Sequence, residues 1–161
     1  MSKIPGRGSQ DGRHIVVGLD AGKASRHALD TAAELASQLP ARLDVVHVVD
    51  LKDFPVDPDA PDWEERMTSA VDEERDWARD HLASWAVSWD FHLRRGEPAL
   101  AISALALEVH ASMVVVGSYG EGIGPMMHRV FSGGSVGHRL VSGRRFPVLV
   151  VPWPRSVPPP P

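Results

Sequence analysis

The chain has 161 residues, 43% of them hydrophobic, which suffices for one compact core but not for two ordinary domains. A formal net charge of -4, with basic and acidic residues interspersed, argues against generic binding to nucleic acid or to an anionic membrane. Cysteine is absent, which excludes disulfides, thiol nucleophiles and cysteine zinc sites. With no run of about 18 apolar residues, we expect a cytoplasmic protein without a membrane partner.

The two ends differ in composition from the middle of the chain. The first dozen residues are rich in glycine, serine and charge, and the last nine, "WPRSVPPPP", contain too much proline for a central strand. We therefore expect a disordered N-terminal tail over 1–12, one folded domain over 13–153 and a proline-rich C-terminal tail over 154–161.

The first half of the domain alternates strand and helix patterns. "HIVVGLD" (14–20) and "LDVVHVVD" (43–50) are short apolar runs, typical of strands buried on both faces. Between them, alanine and leucine recur at helical spacing from Ala28 until Pro40 stops the helix. After a proline-rich loop, Asp62 is the expected cap of a long helix with a Trp and Met stripe that we interpret as core packing.

The second half continues the alternation. "WDFHLRRG" (89–96) predicts a strand with a more exposed side, suited to the edge of a sheet, with Phe91 and Leu93 opposite His92 and Arg94. "EPALAISALALEVH" (97–110) predicts a helix with Pro98 in its first turn. "SMVVVGS" (112–118) is a third apolar run. A short helix over 135–142 and a strand over 146–152 complete the domain.

This alternation predicts a parallel sheet with helices on both faces, joined by right-handed crossovers. Such sheets bind ligands beyond the carboxyl ends of their strands, where the strand order reverses. In this chain those ends fall at Asp20, Val49–Asp50, Gly96 and Gly117–Gly120.

The stretch "VVVGSYGEGIGPMMHRVFSGGSVGHRL" (114–140) places many glycines behind an apolar strand. Glycines leave room for a phosphate to approach backbone N–H groups, and a helix follows them. On this reasoning a valine at Gly117 should clash with phosphate. No Walker loop and no dinucleotide fingerprint is present. Spacing alone leaves two interpretations open, a phosphate site and a plain mobile loop.

The chain resembles the universal stress protein family from residue 14 to 152. The resemblance rests on "IVVGLDAGKASRHAL", "LDVVHVVD", "GEPALAI", "MVVVGSYGEG" and "GGSVGHRLVSGRRFPVLVV". It implies a single Rossmann-like domain of the adenine-nucleotide α-hydrolase type, with a five-stranded parallel sheet of order 3-2-1-4-5. The nucleotide-binding branch carries the pattern G-x2-G-x9-G-[ST], whose two ends match Gly117–Gly120 and Gly134–Ser135.

The middle of that pattern is longer in this chain. Thirteen residues, 121–133, separate Gly120 from Gly134, four more than the nine of the family pattern. Either the loop bulges outward while both ends hold phosphate, or the phosphate grip is lost. We favour the bulge, because a longer glycine-rich loop closes at small entropic cost.

The resemblance also implies ligands and a partner. ATP, with Mg²⁺ accompanying it, would lie between strands 1 and 4, and a second copy would pair through the last strand (146–152). The residues expected to contact the nucleotide are Gly18, Asp20, Val48, Gly117, Ser118, Tyr119, Gly120, Gly134, Ser135 and Val136.

The sequence contains no recognisable catalytic constellation. Glu121 is the one carboxylate in the glycine loop, no Ser–His–Asp pattern appears, and the eight histidines lack metal-ligand spacing. We expect no catalytic residues, no metal held by the protein alone, and at most slow ATP hydrolysis, below about 1 per second. A non-nucleotide dimeric interaction module and a nucleotide hydrolase or phosphotransferase are the alternatives.

Overall fold

The computed structural model of the chain describes residues 12–50, 61–118 and 136–153. The predicted tails therefore lie almost entirely outside the described residues, as does most of the glycine loop. The elements in chain order are β1 (Arg13–Gly18), α1 (Lys23–Gln38), β2 (Ala41–Val49), α2 (Trp63–Leu82), β3 (Trp89–Arg95), α3 (Pro98–Glu108), β4 (Met113–Gly117), α4 (Val136–Ser142) and β5 (Val148–Val151).

The five strands form one parallel sheet of order β3-β2-β1-β4-β5. This confirms the predicted order. β1 lies at the centre between β2 and β4, with Val16 opposite Asp44 on one side and Val114 on the other. β3, predicted as an edge strand, does lie at one edge, and β5 lies at the other.

Helices cover both faces of the sheet, as predicted. On one face α1 and α2 pack on side chains such as Ile15 and Val45, and on the other α3 and α4 pack on Val16 and Val114. The alternation of side chains along a strand explains why consecutive residues of β1 belong to different cores. Because β1 and β4 contribute apolar side chains to both faces, their sequences contain continuous apolar runs.

Local signals set the ends of α3. Pro98 occupies the first helical position, and the Glu97 carboxylate accepts hydrogen bonds from the backbone N–H groups of Ala99 and Leu100, both at 3.0 Å. This side chain satisfies two donors that every helix leaves unpaired at its start. The sequence prediction of a helix beginning near Pro98 is confirmed.

Two strand details differ from the sequence expectations. β1 ends at Gly18, so Asp20 lies in the following turn, not in the strand as predicted. In β3, Leu93 is 41% exposed, whereas His92 is only partly exposed because it turns toward a buried carboxylate on β2. Hydrogen bonding thus overrides the simple apolar alternation. Within the described residues, no helix is both long and apolar enough to cross a membrane.

Candidate functional site

The carboxyl ends of the strands meet at one edge of the sheet, and backbone hydrogen bonds extend the pairing past the strands. The N–H of Leu19 donates to Val46 O at 2.9 Å, and the N–H of Ser118 donates to Val151 O at 2.7 Å. β1 and β4 are neighbours here, while their chains depart to helices on opposite faces. This is the switch point at which parallel sheets bind ligands.

Asp20 holds the turn between β1 and α1. Its Oδ1 accepts the backbone N–H of Gly22 at 2.6 Å and lies 2.6 Å from the Ser25 hydroxyl. The same hydroxyl accepts the backbone N–H of Asp20 at 3.0 Å. These bonds fix the entry into α1, so one carboxylate oxygen has a structural role. A carboxylate has a second oxygen that can serve a ligand at the same time.

Gly117 is required by the close approach of α1 to β4. A Cβ built there would lie 2.5 Å from the carbonyl carbon of Ala24 and 2.8 Å from the backbone nitrogen of Ser25. Both atoms belong to the first turn of α1, so a side chain would push the helix itself. Phosphate binding is therefore not the only reason for a glycine at this position, because helix packing also requires one. A valine here would disturb helix packing as well as any contact with a ligand.

At the other end of this edge, Trp153 contacts Ser118 and His27. Its backbone N–H donates to the Ser118 Oγ at 3.3 Å, and its indole meets the ring of His27 edge-on, with centroids 5.8 Å apart. Ser118, a predicted site residue, is thus tied to the segment that follows β5. The contact joins the ends of β4 and β5 to the start of α1.

The remaining predicted residues divide into two groups. Gly18 ends β1, Val48 lies on β2 opposite Arg94, and Val136 begins α4 and packs against the core beneath α3. These three lie at or near the carboxyl edge. The other predicted residues lie outside the described part of the chain: Tyr119, Gly120, Gly134 and Ser135.

Two polar residues near this edge are engaged in structural contacts. His47 Nδ1 lies 3.0 Å from Leu19 O, so this half-buried histidine on β2 is hydrogen-bonded to the residue that follows β1. Arg139 on α4 pairs with the Glu97 carboxylate at 2.8 Å, which links α4 to the start of α3.

Comparison with known proteins settles the family. The chain matches the sequence model of the Universal stress protein family over residues 12–152, nearly the whole of its length. The chain belongs to the universal stress protein family. Its sheet order is the one that the sequence resemblance implied.

Curated relatives carry the same family name. A universal stress protein of Methanocaldococcus jannaschii is 26% identical over 147 residues, which is 89% of this chain and 84% of the relative. One of Mycolicibacterium smegmatis is 32% identical over 146 residues, covering 85% of this chain. The match spans only 45% of that longer relative.

Solved structures of the family share the fold. A universal stress family protein from Burkholderia pseudomallei is 29% identical with a TM-score of 0.66, covering 90% of this chain and 99% of its own. A universal stress protein in complex with cAMP is 23% identical with a TM-score of 0.64, covering 88% and 97%. One from Archaeoglobus fulgidus in complex with dAMP is 24% identical with a TM-score of 0.62, covering 86% and 97%.

Sequence reasoning missed Ser25 as a partner of Asp20. The two residues are five apart, and a serine early in a predicted helix is an ordinary capping signal. The spacing D-x4-S after a buried strand could have indicated a side chain that returns to the turn.

Proposed function

We propose that this chain is a cytoplasmic, homodimeric universal stress protein that binds an adenine nucleotide, ATP with Mg²⁺, at the switch point between β1 and β4. The observation that carries the proposal is the packing of the first turn of α1 against Gly117. A helix start carries unpaired N–H groups and positive partial charge, which favour an anion. Here it adjoins the strand that leads into the glycine loop.

The proposed ligand contacts extend across both strands. Gly18 and the Val48 backbone would face the adenine and ribose, and Asp20 would act through its second carboxylate oxygen on the ribose or on Mg²⁺. A carboxylate near a triphosphate acts best through a metal, because direct contact is repulsive. The phosphates would be held by Gly117, Ser118, Tyr119, Gly120, Gly134, Ser135 and Val136.

The choice of nucleotide is supported by relatives of the same fold. Family structures are described in complex with cAMP and with dAMP, both adenine nucleotides. Our preference for ATP rests on the glycines at both ends of the loop, which offer backbone donors to a chain of phosphates. We propose a regulatory role in the stress response, in which nucleotide occupancy alters partner binding without fast turnover.

The proposed dimer uses β5, the last strand of the sheet. β5 pairs only with β4 among the described strands, and Val150 on it is 41% exposed. An apolar edge strand presents unpaired backbone groups, and pairing with a second copy would cover them.

The direct test is Asp20→Asn, titrated calorimetrically with ATP and Mg²⁺. Asparagine keeps an acceptor for the Gly22 N–H and removes the charge, so the turn survives. The loss of a charge-assisted contact should weaken binding about 10- to 100-fold. Asp72→Asn, on the exposed side of α2, is the matched control and should bind like wild type.

The outcomes separate the role of Asp20 from nucleotide binding itself. If wild type and Asp20→Asn bind equally, Asp20 belongs to the turn alone. If wild type gives no heat with ATP or AMP, the proposal fails, and the longer loop favours the alternative of a non-nucleotide interaction module.

A further inference from the structure

A buried carboxylate interrupts the apolar strand β2. Asp44 is 1% exposed, and its strand neighbours Leu43 and Val45 are fully buried. Burying a carboxylate is costly unless hydrogen bonds and positive charge compensate it. The contacts of Asp44 therefore indicate what this position is built to hold.

Two histidines from the flanking strands contact this carboxylate. Nδ1 of His14 on β1 lies 2.6 Å from Asp44 Oδ2, and Nε2 of His92 on β3 lies 2.8 Å from Asp44 Oδ1. Since an ionised carboxylate only accepts, each ring must present an N–H to it. The two imidazole side chains are 25% and 23% exposed, so the cluster can be reached from solvent.

A second carboxylate lies beside the first. Asp90 is directly opposite Asp44 in the β2–β3 register, and one ligand atom from each of Asp44, Asp90 and His92 lies within 4.8 Å of the others. The guanidinium of Arg42 binds Asp90 Oδ2, with Nε at 2.8 Å. Its positive charge is thus directed at the exposed carboxylate, and the buried one faces the imidazole rings of His14 and His92.

We propose that this cluster is a site for a divalent transition-metal ion of the zinc class. Asp44, Asp90 and His92 would be the ligands, and His14 would be a positioning residue that holds Asp44 from behind. A dication would add positive charge directly beside the buried carboxylate. Metal ligands are commonly supported in this way, by a histidine N–H that donates to a carboxylate.

The donor set favours zinc over magnesium or calcium. Imidazole suits zinc and other late transition metals, whereas Mg²⁺ and Ca²⁺ take oxygen ligands. Tetrahedral ligands about 2.0–2.1 Å from zinc lie about 3.3 Å from one another, which is within the span of the three ligand atoms. As a ligand, His92 would present the lone pair of Nε2 to the metal in place of its hydrogen bond to Asp44, and would carry its ring proton on Nδ1.

This site is separate from the proposed nucleotide site. Asp44 precedes Val48 by four residues on β2, about 13 Å along the strand. The inference therefore stands independently of nucleotide binding, and Mg²⁺ bound with ATP at the carboxyl edge would not occupy it.

The test is a calorimetric titration of ZnCl₂ into the full chain without a histidine tag and without nucleotide, with MgCl₂ as the comparison. Wild type should bind one zinc ion per chain and give no comparable response to magnesium. Losing a supporting residue typically costs 10- to 100-fold in metal affinity, so the loss of a ligand in His92→Gln or Asp90→Asn should cost at least about 100-fold. His110→Asn removes an exposed histidine elsewhere and should leave the affinity unchanged.

Arg42→Gln has an expected effect on zinc affinity that misfolding could not produce. Removing the competing guanidinium from Asp90 should tighten zinc binding, whereas misfolding would weaken it. Absence of zinc binding in wild type, or equal affinities in His92→Gln, Asp90→Asn and His110→Asn, would overturn the proposal. Because residues 42 and 90 are well exposed, these variants remain informative if a change at His92 prevents folding.

Discussion

Replacing Gly117 by alanine should destabilise the fold before any ligand is considered. The new Cβ would lie 2.5 Å from the carbonyl carbon of Ala24, about 1 Å closer than the ~3.5 Å at which carbon atoms pack. The obstacle is helix backbone, so relief requires a shift of the start of α1. Overpacking of this kind costs about 1–3 kcal/mol.

Gly18→Ala is the matched control, since Gly18 ends the adjacent strand at the same edge. Its added Cβ would meet the flexible end of Ile102, Cδ1, at 3.3 Å. The smaller conformational freedom of the unfolded alanine chain offsets this contact, so stability should stay within about 1 kcal/mol of wild type.

Urea unfolding of the nucleotide-free protein, followed by circular dichroism, measures both variants. The Gly117→Ala midpoint should fall at an unchanged slope. Equal stability of Gly117→Ala and wild type, or a larger loss in Gly18→Ala, would refute the packing argument. It follows that weaker nucleotide binding in a Gly117 variant cannot by itself place a phosphate there.

Three further changes test the supports of the fold in the same unfolding assay. Glu97→Ala should cost about 1 kcal/mol by removing the α3 cap, and unchanged stability would contradict that role. Glu74→Gln should cost about 1–3 kcal/mol, because Glu74 is 7% exposed and pairs with Arg26 at 3.0 Å; a stable variant would show that the pair is dispensable. Ser25→Ala should lower the free energy of unfolding by about 1 kcal/mol, because its hydrogen bonds to Asp20 are lost. An unchanged free energy of unfolding would contradict this role of Ser25.

The sequence predicted most of the elements because their signals are local. Apolar runs marked β1, β2 and β4, and Pro98 after Glu97 marked the start of α3. The strand order, in contrast, was not predicted from local signals. It followed from resemblance to a family, since apolar periodicity carries no information about which strands become neighbours.

Contacts between distant residues could not be predicted from the sequence. Glu74 lies on the buried stripe of α2, although a charged residue there would be assigned to the outer face. Its partner Arg26 is 48 residues away, and the guanidinium also lies 4.2 Å from the ring of Trp77. Neither the ion pair with Glu74 nor the contact with Trp77 can be predicted from the spacing of residues along the chain.

The cluster around Asp44 could not be predicted from the sequence for the same reason. Its side chains come from three separate strands, and only the register of the sheet brings His14 and His92 to one carboxylate. A search for ligand spacing within one segment does not find such a set. The expectation of no protein-held metal was drawn from that spacing alone.

The most direct test of nucleotide binding is to denature freshly purified protein and identify any released nucleotide by chromatography and mass spectrometry, followed by titration of the emptied protein with ATP and Mg²⁺. We expect an adenine nucleotide in near-stoichiometric amount, or one ATP bound per chain on titration. A protein that carries no nucleotide and gives no heat with ATP or AMP would contradict it.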